Sequence, residues 1–171
     1  IMEKARLMNE SLIKDFRLQR PKIAVLGINP HCGDKGVIGN EDDEVLRPAL
    51  KKLYFDENIL VFGPFAADSF FGSQTYRNYD AVLAPYHDQG LIAFKTIAFG
   101  SGVNYTAGLS KVRTSPDHGT AYEIAGKGIA DPESFRHAIF TALDVFRNRE
   151  EYAKLTKNPL KVRSLEMDKD K

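Results

Sequence analysis

Residues 22–34, KIAVLGINPHCGD, carry the clearest signal of the fold. Lys22–Ile28 is a short apolar run rich in β-branched residues, preceded by Pro21 and closed by Asn29-Pro30, which is the composition of a buried strand ending in a turn. Upstream, Glu3–Arg17 sets Leu7, Met8, Leu12, Ile13 and Phe16 at near-helical spacing, which predicts an amphipathic helix. Downstream, Gly33, Gly36 and Gly39 punctuate a loop. A helix follows, with Glu41, Asp42, Asp43 and Glu44 in its first turn and Lys51 and Lys52 near its end, a charge order that suits the macrodipole. Pro48 inside it should kink it or reset its start.

The same alternation continues. Ile59–Phe62 and Ala81–Pro85 read as further buried strands, and Leu91–Lys95 and Val103–Leu109 as additional ones. Asp131-Pro132 should cap a helix from Glu133 to about Arg147, with Phe135, Ala138, Ile139, Ala142, Leu143 and Phe146 on one stripe and His137 off it, exposed. Helices interleaved with apolar strands define an α/β layered domain. The expected division is 1–146 for this α/β portion and 147–171 for a charged helical end and tail, the latter frayed or disordered after Lys157.

The chain has 171 residues and 19.2 kDa, 43% apolar and 27% charged, enough to pack one domain. Cys32 stands alone, which excludes a disulfide-stapled module and is consistent with a reducing cytoplasm. No apolar run approaches the roughly 20 residues that span a bilayer, and the charged start is unlike a secretory signal, so the expectation is a soluble cytoplasmic protein. A start at Ile-Met-Glu, opening directly into a helix, reads as a cut piece. The formal net charge of +1 argues against nucleic acid as a partner. The ends, residues 1–22 and 147–171, together carry +6 against −5 for the middle, which reads as solvated helix faces.

The histidines carry the chemistry. His31 follows the first strand in NPHCGD and His87 a later one in PYHDQG, and ligands of open α/β sheets bind beyond the carboxyl ends of the strands. Imidazoles there, with Asp34 and Asp88 nearby, suit a divalent metal of the Zn, Co or Ni type; a role for each histidine in satisfying its own turn is the alternative. Cys32 would point away from His31 in an extended chain and reads as a bystander. His118 lies in SPDHGTAYEIAGKG, a Gly-punctuated loop of the kind whose backbone N–H groups can cradle an anion or a nucleotide, or simply a turn. Lys95, Asn104 and Arg113 could clamp a carboxylate or phosphate, or be ordinary surface polar groups.

Taken in order, NPHCGD, GPFAADSFF, YHDQG, FKTIAFGSGVN and VRTSPDHGTAYEIAGKGIAD resemble the C-terminal half of the 4-hydroxythreonine-4-phosphate dehydrogenase family of pyridoxal phosphate biosynthesis, over about Pro21 to Phe146. HGTAYEIAGKGIAD is also similar to the nucleotide loop of the isocitrate and isopropylmalate dehydrogenases. The resemblance implies their layered α/β fold with a mostly parallel sheet, here a fragment of a two-domain structure. It implies that His31 and His87 are two of three histidine ligands to a divalent metal, zinc or alternatively magnesium or cobalt. Lys95, Asn104 and Arg113 become substrate contacts, with Asp68 and Asp88 as neighbours of the site. The loop containing His118, Gly119, Thr120 and Gly126 comes to lie near NAD or NADP. The implied reaction is oxidation of 4-phosphohydroxy-L-threonine, with hydride passing to the dinucleotide, followed by loss of carbon dioxide from the β-keto acid. A homodimer is implied too, and the aromatic stretch GPFAADSFFGSQTY fits either its interface or a core.

Family members are about twice as long, and the half that would supply the third histidine has no counterpart here, so the expectation is a chain that folds but is catalytically incomplete. The residues leave open a related dehydrogenase for a phosphorylated four-carbon hydroxy acid, a redox-inactive metal-dependent hydrolase, and a non-catalytic metal-binding or dimerisation module.

Overall fold

The computed structural model describes residues 1–98 and 100–160. Its centre is β1 (Ile23–Leu26), every residue of which is buried. β1 is flanked on both sides by parallel partners, β2 (Val61–Phe65) and β3 (Ala81–Leu83), in the order β2-β1-β3. Ile23 stands opposite Val61 on one side and Ala81 on the other. A central parallel strand is covered on both faces, which is why KIAVLGI runs apolar without alternation.

One face of β1 presents Ile23 and Val25 to a core with Ala5 of α1 (Met2–Lys14), Leu46, and Leu50 and Leu53 of α2 (Arg47–Phe55). The other presents Ala24 and Leu26 to Phe70 of α3 (Ala67–Gly72), with Phe65, Phe71, Tyr76 and Tyr79 packed around it. Aromatic side chains of the stretch pack against this core: Phe65 stacks on Phe70 with ring centroids 5.1 Å apart. Pro48 does reset its helix, since Asp42–Leu46 form a π-helical turn and α2 begins at Arg47 with proline in its first turn.

Three expectations are corrected. Leu91–Lys95 is no strand but the interior of α4 (His87–Ile97); a short apolar run is ambiguous by periodicity, and the Gln89 side chain accepts the Tyr86 N–H at 3.3 Å to start the helix. The predicted strand Val103–Leu109 is shorter, since β4 (Val103–Tyr105) gives way to a turn at Gly108 (φ 81°) and pairs antiparallel with β5 (Thr114–Pro116). The final helix α5 (Glu133–Thr156) extends past Arg147 and buries Ser134, Ala138 and Val145, while Phe135, Ile139, Leu143 and Phe146 of the predicted stripe are exposed. His137 is exposed as expected. The tail 161–171 lies outside the described residues.

Candidate functional site

β1 and β3 run parallel and adjacent, so the loops after them leave the same sheet edge. His31 comes from the first loop and His87 from the second, where it opens α4. Gln89 ties the two together: its Nε2 donates to the Gly27 carbonyl at 2.9 Å, joining the first turn of α4 to the end of β1. A cleft of about 460 Å³ opens there, lined by Asn29, Pro30, His31, Asp68, Tyr86 and Gln89 among others. Asp68, in the first turn of α3, also lines the neighbouring cleft of about 550 Å³ with Asp88 and Gln89.

The loop bearing His31 has an uncommon backbone. His31, Cys32, Gly33, Asp34 and Lys35 are consecutively left-handed, with φ between 44° and 89°. Four of these are not glycine, and each is disfavoured by its own Cβ. The turn is closed on itself. Ile38 N–H donates to the Gly33 carbonyl at 3.0 Å, and a Cβ on Gly33 would fall 2.2 Å from the Gly39 carbonyl oxygen. Contrary to the extended chain expected at Cys32, the backbone there is left-handed, and the thiol turns back toward Gly27. Burial, and then the nearby Asp42 carboxylate, push that thiol up from its ordinary pKa, which keeps it protonated and a poor ligand or nucleophile.

His87 is 77% exposed, and its Nδ1 donates to Asp88 at 2.8 Å. With Nδ1 engaged in that bond, Nε2 is the ring nitrogen left to face a metal. The donor chemistry of His31 and His87 therefore fits a borderline divalent ion. The number of donors does not complete one: among the described residues no group of three or more His, Cys, Asp or Glu side chains is gathered to hold an ion.

The other predicted residues fall in two further places. Lys95, on α4, lines a cavity of about 190 Å³ with Gly102, Asp117, His118 and Ser134, so a residue expected at the substrate and one expected at the nucleotide border the same cavity. His118 donates Nδ1–H to the Gly119 carbonyl at 2.8 Å, while Gly119, Thr120 and Gly126 are exposed along the same loop. α4 spaces the two regions: His87 and Lys95 are eight residues apart, a rise of roughly 12 Å. Asn104 lies on β4 and Arg113 just before β5, where Arg113 donates to the Thr106 hydroxyl at 3.0 Å; both side chains are exposed.

Two contributors escape a reading of the sequence. Gln89 is the residue after Asp88 in YHDQG, and nothing in that motif says it reaches Gly27. Asp42 is one of four consecutive acidic residues, yet it alone is fully buried, accepting the N–H groups of Ile28 and Asn29 at 2.8 Å each.

A parallel α/β sheet with imidazoles at the carboxyl edge of adjacent strands, and a glycine-punctuated loop beside a lysine-lined cavity, is the arrangement of a small-ligand site at strand ends. The family model for pyridoxal phosphate biosynthetic protein PdxA matches residues 1–142, and the chain belongs to that family. It is 51% identical over 170 residues to 4-hydroxythreonine-4-phosphate dehydrogenase of Bacteroides thetaiotaomicron, covering 99% of this chain and 46% of that protein, in its C-terminal part. The crystal structure of 4-hydroxythreonine-4-phosphate dehydrogenase from Klebsiella pneumoniae superposes with a TM-score of 0.71 at 37% identity, over 84% of this chain and 43% of that one. A terephthalate 1,2-cis-dihydrodiol dehydrogenase from Burkholderia xenovorans LB400 matches with a TM-score of 0.63 at 31% identity, over 84% of this chain and 45% of that one. The chain thus spans about half the length of the relatives it matches. Among the described residues no helix is long and apolar enough to cross a membrane.

Proposed function

We propose that this chain supplies the C-terminal part of the machinery of a cytoplasmic, homodimeric, metal-dependent 4-hydroxythreonine-4-phosphate dehydrogenase that uses NAD or NADP. One observation carries the reading: the parallel pairing of β1 and β3 delivers NPHCGD and YHDQG to one sheet edge, joined by the Gln89–Gly27 hydrogen bond. His31 and His87 would hold a divalent ion, zinc or alternatively magnesium or cobalt, together with a further ligand from outside the described residues. Such an ion, when bound, draws charge from a substrate hydroxyl and so eases loss of its proton and of hydride.

The remaining residues bind and orient. Lys95 and Arg113 supply positive charge for the substrate's phosphate and carboxylate, and Asn104 orients a neutral polar group without adding charge. Asp68, lining the His31 cleft, receives a substrate donor. The loop through His118, Gly119, Thr120 and Gly126 would flank the dinucleotide, which when bound would supply the hydride acceptor for an oxidation whose β-keto acid product loses carbon dioxide.

The test is a chimera joining this chain to the N-terminal part of the Bacteroides relative. It should reduce NAD or NADP with 4-phosphohydroxy-L-threonine; His31→Ala and His87→Ala should each remove that activity, and the 171-residue chain should lack it. A chimera that turns over normally without either histidine refutes the assignment. The fold's likeness to a dihydrodiol dehydrogenase favours one second reading, a related dehydrogenase with a different hydroxylated substrate, such as a phosphorylated four-carbon hydroxy acid. Comparing the amino substrate with its hydroxy analogue in the same chimera separates the two.

A further inference from the structure

We propose that Asp42 is a positioning residue for His31, its buried carboxylate fixing the entry to the left-handed turn that presents the imidazole. The proposal rests on the reading of His31 as a metal ligand. Asp42 is 0% exposed, and no ion pair among the described residues includes it. A carboxylate stripped of water is costly unless its oxygens are satisfied. Here Oδ1 accepts Ile28 N–H and Oδ2 accepts Asn29 N–H, both at 2.8 Å.

Those two amides lie just past the end of β1, where the strand ladder no longer supplies partners. Asp42 supplies them instead, from a π-helical turn fourteen residues on from Ile28. The segment becomes a loop stitched at its neck. Asn29 adds a second stitch by donating Nδ2–H to Glu41 at 2.7 Å. His31 is the second residue after Asn29 and the first of the five left-handed residues. A run of disfavoured left-handed residues would relax toward commoner conformations if its neck were free, and the imidazole would move with it. Ligands held by a preset backbone bind metal more tightly than ligands that must first be ordered, and loss of an orienting partner typically lowers metal affinity by about 10–100-fold.

The experiment titrates Zn2+ alone into the 171-residue chain, followed by calorimetry, and reads backbone amide exchange at Ile28 and Asn29 in the same proteins. Asp42→Asn keeps the shape but retains only one acceptor oxygen. It should weaken zinc binding by about tenfold and speed exchange at one of the two amides. Asp43→Asn, which removes the same charge from an exposed neighbouring position, should change neither. Should Asp42→Asn fail to fold, the unaltered chain still decides: zinc should slow exchange at Ile28 and Asn29, because a ligand that needs the stitched neck stabilises it. Zinc affinity unchanged in a folded Asp42→Asn overturns the proposal, as does zinc binding that leaves both amides exchanging at their free rate. If His31→Ala binds zinc as tightly as the unaltered chain, the metal reading itself has failed, a result distinct from failure of the positioning role.

Discussion

Asp15 and Arg149, 134 residues apart, form a buried ion pair in which Arg149 Nε donates to Asp15 Oδ1 at 2.6 Å. Their side chains are only 3% and 14% exposed. The pair is the hub of a small network. Ser11 and the Tyr105 hydroxyl also donate to the Asp15 carboxylate, Asn148 donates to the Asp15 backbone carbonyl, and Arg149 reaches the Leu109 carbonyl at 2.9 Å. It joins the end of α1, the strand next to Asn104, the turn before Arg113 and the last third of α5.

Removing one member should leave its partner buried and uncompensated. Arg149→Ala is expected to destabilise the chain by about 3 kcal/mol, because a carboxylate left without its cation costs more than the pair contributed. Urea denaturation at pH 7 checks this, with Arg136→Ala, which breaks an exposed ion pair with Glu133, as a comparison expected to cost under about 1 kcal/mol.

The same pair gives a pH dependence with a definite sign. Burial pushes the Asp15 carboxyl up, but hydrogen bonds from Arg149, Tyr105 and Ser11 outweigh it and hold the group below its ordinary value. A carboxyl depressed in the folded state contributes stability that is complete above its unfolded pKa of about 4 and is lost as pH falls through the folded pKa. Denaturation midpoints between pH 7 and pH 3 should therefore fall in acid. In Arg149→Ala the part of that slope due to Asp15 should be reduced.

Cys32 should be sluggish toward alkylation. Its thiol is half-buried and pushed up by burial and by Asp42, so little thiolate exists at neutral pH. Iodoacetamide at pH 7.5 should modify it at least about tenfold more slowly than an exposed free cysteine. Rapid single-site labelling of the folded chain would contradict this.

Gly33→Ala should be poorly tolerated. Gly33 has φ 89°, and an added Cβ would lie 2.2 Å from the Gly39 carbonyl oxygen, a backbone atom that cannot swing away. The substitution should cost about 2–4 kcal/mol and shift the His31 imidazole resonances, read by thermal unfolding and by proton–nitrogen NMR. Gly72→Ala, where nothing lies within 4 Å of the new Cβ, should leave both unchanged.

The core strand, the α/β class and the motifs that point to the family are legible along the chain. KIAVLGI is apolar because β1 is covered on both faces, and that pattern is local enough to read. The two histidines were legible as strand-end residues for the same reason: Asn29-Pro30 and Pro85 mark where strands stop. Whatever depends on two distant segments meeting is set by packing instead. Leu91–Lys95 carries too little periodicity to tell strand from helix, so only packing made it α4. Among Glu41, Asp42, Asp43 and Glu44 nothing along the chain singles out the one that turns inward, because the choice is made by two amides of a loop that precedes them. Nor could spacing show that Lys95 and His118 line one cavity, or that Gln89 reaches Gly27. Both arrangements follow from how separate elements pack against one another, a property of the tertiary structure rather than of any stretch within it.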